Sequence, residues 1–366
     1  MSIAQIPFTK IYEDVMLEVR ENSTEASVKN KYRRRVNDVY ARDLFAKNDF
    51  DFMSRIGTVT IPAGYTTGTA SVAAGGTAVA GVGTTWTTAM TGYKFRFFGN
   101  QDIYTFTRTS NTTGTISPAF SGDAAISGGQ YLIFQDTYSL AGDYDRMVDP
   151  PGFYYDYYNA RVSLFRKLTP DWYKLWSTVR SLFPMYYRPF GRSSDNLYWQ
   201  VQFAPPILHT KYIYYEYIPT FADMKEYSNG TTTTTAGSTV VNGTGCDFTN
   251  NVSAGDAFRK DAYTQDWYLV AAVNSPTQLT LTAPYPIATT NTAYTCSNVP
   301  QCPVSLQLAI FYGTCALSAG DQDDDTSAKN FMSLYLTAIQ EYQQIENRMK
   351  MGKQRMKVKD SYHRKS

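Results

Sequence analysis

The sequence predicts an α+β fold: a helical bundle formed by N- and C-terminal helices, with a central strand-rich segment and two inserted, duplicated small β modules. Three observations predict it. Apolar residues at helical spacing concentrate towards the two ends of the sequence, short alternating runs fill the interior, and one pattern of roughly sixty residues occurs twice. In order, the parts are 1–57 (helical), 58–68 (strand and linker), 69–135 (first β module), 136–229 (central α/β segment), 230–298 (second β module), 299–350 (closing helix pair) and 351–366 (basic tail).

The N-terminal part reads as two helices. Ile11, Val15 and Val19 align from Thr9 to about Arg20, and Asn22-Ser23-Thr24-Glu25 is a turn rich in cap-forming residues. A second helix from Ala26 to Ala46 sets Val28, Tyr32, Val36 and Val39 on one face and Lys29, Lys31, Arg33, Arg34 and Arg35 on the other. That cluster reads either as a channel or partner contact, meeting DNA phosphates or an acidic surface, or as a solvated helix face. Phe50 and Phe52 follow, and Thr58-Val59-Thr60-Ile61 alternates as a strand that ends at Pro62.

The repeat begins beyond Thr69. Its first copy runs from Gly76 to Trp86 and its second from Gly237 to Phe248, both through Thr, Val, Gly and Ala or Asn. Each then has Gly, two residues and Phe-Arg: Gly92 to Phe95-Arg96, and Gly255 to Phe258-Arg259. Each continues through an aromatic strand (Tyr104; Trp267-Tyr268) and a proline followed by an aromatic (Pro118 and Phe120; Pro284-Tyr285) to a closing Tyr strand (Tyr131; Tyr294). A module of this size is expected to be a compact barrel or sandwich.

Between the modules, Asp171 to Arg180 reads as a helix after Thr169-Pro170. Tyr198 to Phe203 and Lys211 to Tyr217 read as strands that pair antiparallel across Ala204-Pro205-Pro206-Ile207. The second carries Tyr on both faces, which predicts burial against protein on both sides.

The closing pair starts at Pro303, suited to a first helical position because its missing N–H is unpaired there anyway. Leu306, Ala309, Ile310, Gly313, Ala316 and Leu317 form its stripe. An acidic turn, Asp321 to Asp325, leads to a second helix capped near Thr326. Phe331, Tyr335, Ala338, Tyr342, Ile345 and Met349 recur there at alternating steps of four and three, a narrow seam for other helices. The two chain ends are therefore expected to meet. Beyond the seam, Lys350, Lys353, Arg355, Lys357, Lys359, Arg364 and Lys365 make a basic tail that is expected to be extended or disordered alone. It reads as a docking arm for an acidic groove, as a face towards DNA, or as a solubilising end.

Composition excludes more than it assigns. The formal net charge of +2 makes no overall demand for nucleic acid or membrane, and no apolar run of membrane-spanning length occurs. The 30 Tyr suit either a β-rich surface that makes wide contacts or an ordinary β core. Two His and four Cys without CxxC spacing leave no basis for a zinc site, although a Cys246–Cys296 pair stays open. There is no phosphate-binding Gly-x-x-x-x-Gly-Lys loop and no Gly-x-Ser-x-Gly elbow, and His209 reads as a turn residue. No enzyme activity, catalytic residue, metal or cofactor is expected.

The order of features resembles head-to-tail adaptor (neck, or head-completion) proteins of tailed bacteriophages. Three stretches carry the resemblance: Tyr32-Arg-Arg-Arg-Val-Asn-Asp-Val-Tyr-Ala-Arg-Asp with Phe50, Phe52 and Gly57-Thr-Val-Thr-Ile-Pro; Tyr138-Ser-Leu-Ala-Gly-Asp-Tyr-Asp-Arg146; and the helix pair from Pro303. The second is similar to a Tyr-x-Leu-Pro-x-Asp-Phe-Asp-Arg turn, with Ala141 where Pro is common. The resemblance implies a structural virion protein, assembled in the host cytoplasm and located in the neck. It implies a homo-oligomeric ring of about twelve copies between the portal protein and the tail tube, nozzle or other tail proteins. The tail would dock on the portal, and viral DNA would pass through the channel without sequence-specific binding. Two other readings compete. One is a carbohydrate-binding or carbohydrate-cleaving tail or fibre component whose lectin-like β modules use Trp86, Trp267 and Tyr268. The other is an intracellular nucleic-acid-binding protein that uses the two basic stretches.

Overall fold

The computed structural model describes residues 5–148, 152–158, 160–167, 181–260 and 266–363, with side chains described as far as Arg348. The chain is α+β, with antiparallel sheets between N- and C-terminal helices. It divides into two compact units, one made of Met1–Phe52 and Phe221–Ser366, the other of Met53–Thr220.

In the first unit, helix α1 spans Phe8–Glu18 and α2 spans Ala26–Asn37. Helix α2 continues as a π-helical stretch, Asp38–Leu44, and one further turn, Phe45–Lys47. The wider π turns bring Val39, Tyr40, Leu44 and Phe45 all to the interior, so the helix expected from Ala26 to Ala46 changes register within its length. Helix α3 is Val304–Gly320, with Pro303 at its N-cap rather than inside it. Helix α4 is Asp325–His363.

The ends of the chain are joined directly. The Ile6 N–H donates to Gln307 Oε1 at 2.7 Å, and the Phe8 N–H to the Asn298 carbonyl at 2.9 Å. Gly313 marks the tightest approach. A Cβ there would stand 2.8 Å from Val39 Cγ1 and 3.1 Å from the Tyr335 ring, so its absence lets α3 close on both neighbours. Phe45 stacks on Phe221 at 4.3 Å, and Tyr342 meets Phe50 and Phe52 edge-on at 5.4 and 5.9 Å.

The tail differs from expectation. Residues through His363 continue α4 as helix instead of being extended. Lys, Arg, Gln and Met are good helix formers, and they make up all of 349–357 except Gly352.

The same unit holds an eight-stranded sheet. Seven of its strands are, in chain order, Thr231–Thr234, Ser238–Thr244, Ala257–Lys260, Tyr268–Ser275, Gln278–Tyr285, Thr289–Thr292 and Tyr294–Ser297, with Glu226–Tyr227 added at the last. The second unit holds a seven-stranded sheet of Thr69–Val72, Ala78–Val82, Lys94–Phe97, Tyr104–Arg108, Thr113–Ser117, Ile126–Gly129 and Tyr131–Phe134. In space both run in the order six, one, two, five, four, three, seven. Strands six and seven thus occupy opposite ends of that order, yet only Ala293 or Gln130 separates them. Two Cα steps reach at most about 7 Å, so the ends must adjoin and each sheet curls on itself.

The two cores use the same devices. Gly68 and Gly230 take φ of +79° and +84°, and a Cβ at either would lie 2.4 Å from the carbonyl of Val82 or Thr244. The Tyr131 hydroxyl donates to the Thr67 carbonyl and the Tyr294 hydroxyl to the Asn229 carbonyl, both at 2.6 Å. Trp86 packs on Tyr131 as Phe248 packs on Tyr294.

The rest of the second unit is a two-sheet sandwich. Lys211–Pro219 lies in a five-stranded sheet with Arg55–Ile61, Tyr144–Met147, Phe153–Tyr157 and Ala160–Ser163. Trp199–Ala204 lies in a four-stranded sheet with Thr137–Ser139, Tyr186–Arg192 and Phe165–Arg166. The expected hairpin between Tyr198–Phe203 and Lys211–Tyr217 is therefore absent. Pro205 and Pro206 cannot donate to a ladder, and the two strands instead face each other, with Val201 and Phe203 in one core with Ile213 and Tyr215. Burial on both faces of the Tyr strand is not observed within the chain: Tyr212 is 57% exposed. The helix expected at Asp171 to Arg180 lies outside the described residues.

Candidate functional site

The basic stretch of α2 does not present one cationic face. Lys31 and Arg35, one turn apart, converge on Asp321 just beyond the end of α3. Arg35 is buried against the Tyr32 ring, and burial holds its guanidinium below the usual range. Arg33 turns the other way and pairs with Glu226. Lys29 is half-buried and Arg34 exposed. Three of the five cations are thus engaged inside the unit, one pair of them by the acidic turn that the sequence shows only as a helix start.

Glu226 is the centre of a polar hub. Its carboxylate accepts from Thr9 Oγ1 at 2.9 Å and from the Tyr12 hydroxyl at 2.8 Å as well as from Arg33, whose guanidinium lies 5.0 Å from the Tyr12 ring centroid. Burial, reinforced by this carboxylate, pushes the Tyr12 hydroxyl above the usual phenol range. Nearby, Arg259 holds Glu13 with two nitrogens at 2.8 and 3.1 Å and covers the Trp267 ring. These contacts mount the eight-stranded sheet on α1 and α2. Nothing local in Met224-Lys225-Glu226-Tyr227 advertises that role, because its partners lie about 200 residues away.

The seam on α4 is partly as expected. Tyr335 is buried, its hydroxyl donating to Asp43 Oδ2 at 2.6 Å, while Phe331, Ala338 and Tyr342 are half-buried. Ile345 is exposed, and Ile339 and Glu346 are buried instead. A straight helix of 3.6 residues per turn drifts about 20° per heptad from a 3.5 repeat, which carries the buried stripe off Ile345 and onto Glu346. The Met349 side chain, and those of Lys350, Lys353, Arg355, Lys357 and Lys359, lie beyond the described side chains; Arg364 and Lys365 lie outside the described residues.

Large apolar side chains stand exposed on these helices. Val304, Leu308 and Leu317 on α3, and Met332, Leu334, Leu336 and Ile345 on α4, face solvent. Leu17 on α1 is 74% exposed. Ile6, Ile11, Leu17, Leu308 and Phe311 line a groove of about 290 Å³, with Asp14 and Glu18 also at its wall.

In the second unit, the Tyr138 to Arg146 motif is a clasp. Asp143 accepts from the Tyr217 hydroxyl at 2.8 Å and from Arg55 Nη1 at 2.5 Å, and the Ala141 N–H donates to the Tyr215 hydroxyl at 2.8 Å. A concavity of about 380 Å³ lies among Tyr155, Tyr157, Phe183 and Tyr212, with Lys211 over the Phe183 ring.

The aromatics assigned to a sugar-binding role are buried: Trp86, Trp267 and Tyr268 are 1, 3 and 4% exposed. All four cysteines are buried thiols outside any disulfide, and His209 is exposed in a turn. Among the described residues no group of three or more His, Cys, Asp or Glu is placed to hold a metal, and no helix is long and apolar enough to cross a membrane.

No family model matches the chain, and no curated protein matches it. Among solved structures, the apo form of translation elongation factor SelB from Methanococcus maripaludis is similar at 10% identity and a TM-score of 0.16, over 68% of this chain and 64% of that one. The chain spans less than two thirds of that structure, and a likeness so slight carries no argument about fold or activity.

Proposed function

We propose that the chain is a head-to-tail adaptor of a tailed-phage virion, a ring of about twelve copies seated between portal and tail and surrounding the DNA channel. One observation carries this reading. Helix α3 contains no charged residue, joins the two ends of the chain, and still leaves Val304 and Leu308 exposed on one face and Leu317 on another, while Met332, Leu334, Leu336 and Ile345 stand exposed on α4. Apolar side chains left exposed on two packed helices mark a surface for association with other chains. Closed symmetry covers it without an open edge. The internal pairing of Lys31, Arg33 and Arg35 supports the same reading, since a channel through which DNA slides benefits from few free cations. We also infer that the two curled sheets descend from one duplicated module; their shared strand order and the matched Gly68 and Gly230 support it. The carbohydrate reading loses its three named aromatics to the cores.

Electron microscopy of the protein mixed with the portal of the same genome tests the proposal. A ring seated on the portal is expected. A chain that stays apart from the portal, while virions carry it at the distal end of the tail, overturns it.

A further inference from the structure

Helix α4 is much longer than its partner. At 1.5 Å per residue, the 39 residues of α4 span about 58 Å and the 17 residues of α3 about 26 Å. Four residues join them, and Gly313 meets Tyr335, so the two run antiparallel from a common end. About 30 Å of α4 therefore overhangs α3. Its last described side-chain contact with the body is Glu346, which accepts the Asp51 N–H at 2.9 Å. The helix beyond, 347–363, carries six cations (Arg348, Lys350, Lys353, Arg355, Lys357, Lys359) against Asp360, a net of +5, with Met349, Met351, Met356 and Val358 among them.

The body of the same unit holds a surface of the opposite character. The groove of Ile6, Ile11, Leu17, Leu308 and Phe311 is apolar. Val304, Leu308 and Phe311 stand four and three residues apart, so they line one face of α3, and that helix contributes no charge. The charges at the groove come from α1 and are acidic: Asp14, which shares Lys10, and the exposed Glu18. Glu18 takes part in none of the described ion pairs.

We propose that the groove between α1 and α3 receives the basic end of α4, residues 347–363, from a second copy of this chain. Apolar residues of the arm fill the groove, and its cations meet Glu18 and Asp14. The arm of one copy and the groove of the next are different surfaces, so the contact is head-to-tail and repeats around a ring rather than closing a dimer. This rests on the ring reading and assigns the arm to a neighbouring copy rather than to the portal.

The test is a cross-link in the full-length chain. Leu17→Cys and Met356→Cys are introduced on separately tagged chains, whose native thiols are all buried. Leu17 is exposed and residue 356 lies in the overhang, so neither change is expected to disturb the fold. With dissolved oxygen and a copper catalyst as the two-electron oxidant, a disulfide that joins the two differently tagged chains through the introduced thiols, reduced about tenfold by Glu18→Lys and by Lys353→Glu with Lys357→Glu, is the expected result. Rings that form in solution without this cross-link, or with residue 356 cross-linking only to the portal, overturn the arm assignment and leave the ring reading standing. A chain that stays monomeric at high concentration and on the portal overturns both.

Discussion

The Tyr335 hydroxyl donates to the Asp43 carboxylate at 2.6 Å, tying the C-terminal helix to the end of the N-terminal one across 292 residues of sequence. Burial, with the carboxylate adding to it, drives the hydroxyl above the usual phenol range, so the pair works with a neutral donor. The contact is reached only because Gly313 keeps α3 out of the way. Gly313→Ala is expected to destabilise the first unit by about 1–3 kcal/mol, since the added methyl would stand 2.8 Å from the buried Val39 methyl and 3.1 Å from the buried Tyr335 ring, and these must shift. Tyr335→Phe removes the hydrogen bond but no volume, at about 1 kcal/mol. Urea titrations of both variants check the order; a Gly313→Ala protein as stable as the parent would mean that α3 sits further off than described.

The matched glycines of the curled sheets give a second expectation, identical in two places. Gly75 and Gly237 have positive φ but open space around the missing Cβ, whereas Gly68 and Gly230 have positive φ and a carbonyl at 2.4 Å. Alanine at Gly75 or Gly237 is expected to cost about 1 kcal/mol of backbone strain. Alanine at Gly68 or Gly230 costs more, because the hairpin must open as well. Thermal melts of the four variants read this directly. Equal costs at Gly68 and Gly75 would show that the close approach is not needed.

These glycines also show what was legible in the sequence. The strand order that the two curled sheets share has a trace in the sequence, because each sheet is built on local turns and Gly-x-x-Phe-Arg and the closing Tyr stand at nearly the same spacing in both. The helices were readable from their stripes, and the joining of the ends from the need of those stripes for partners. Pairing between distant elements was not. Trp199–Ala204 and Lys211–Pro219 look like a hairpin from their sequence neighbourhood, yet each pairs with other strands and they share one core instead, with Val201 and Phe203 from the first and Ile213, Tyr215 and Tyr217 from the second. The basic run of α2 was visible as charge, but which cations stay free depended on Asp321 and Glu226, whose positions only the fold sets. The tail reads as unstructured because it has no core to bury, although its Lys, Arg, Gln and Met favour helix.

Glu226 is the test of that hub. Three donors from α1 and α2 converge on one partly buried carboxylate, so Glu226→Gln keeps the shape and removes the charge that Arg33 needs. A loss of about 2–3 kcal/mol is expected. In a double-mutant cycle with Arg33→Gln, the coupling should be about 1–3 kcal/mol. Coupling near zero would make the contact a solvated surface pair.

The thiols report on the fold without any substitution. Burial pushes both Cys302 and Cys315 up to about 12, with Glu18 adding to the second, and Cys246 and Cys296 are also buried. The thiolate is the reactive form, so at pH 8 the native protein is expected to resist alkylation at all four positions and to react at all four once denatured. Rapid native labelling of Cys315 would mean that α3 is not held between α1 and α4 as described.

Asp136 gives the pH dependence. It is buried beside Gln202 and Thr137, and desolvation raises its carboxyl above the ordinary value despite Lys94 and Arg188. The folded state therefore holds its proton more tightly than the unfolded state. Between the ordinary carboxylate value, near 4, and the raised folded one, the native chain binds more protons, so stability falls as pH rises through that window and the loss persists above it. Asp136→Asn keeps an acceptor for Thr137 or Gln202 and has no charge to bury. The variant is expected to lose that downward slope and to match or exceed the parent at pH 7 by up to about 1 kcal/mol. Denaturation midpoints from pH 4 to 8 distinguish the cases: an unchanged slope places the pH dependence elsewhere, and a large loss at pH 7 would show that the ionised carboxylate is held by Lys94 and Arg188 more strongly than burial opposes it.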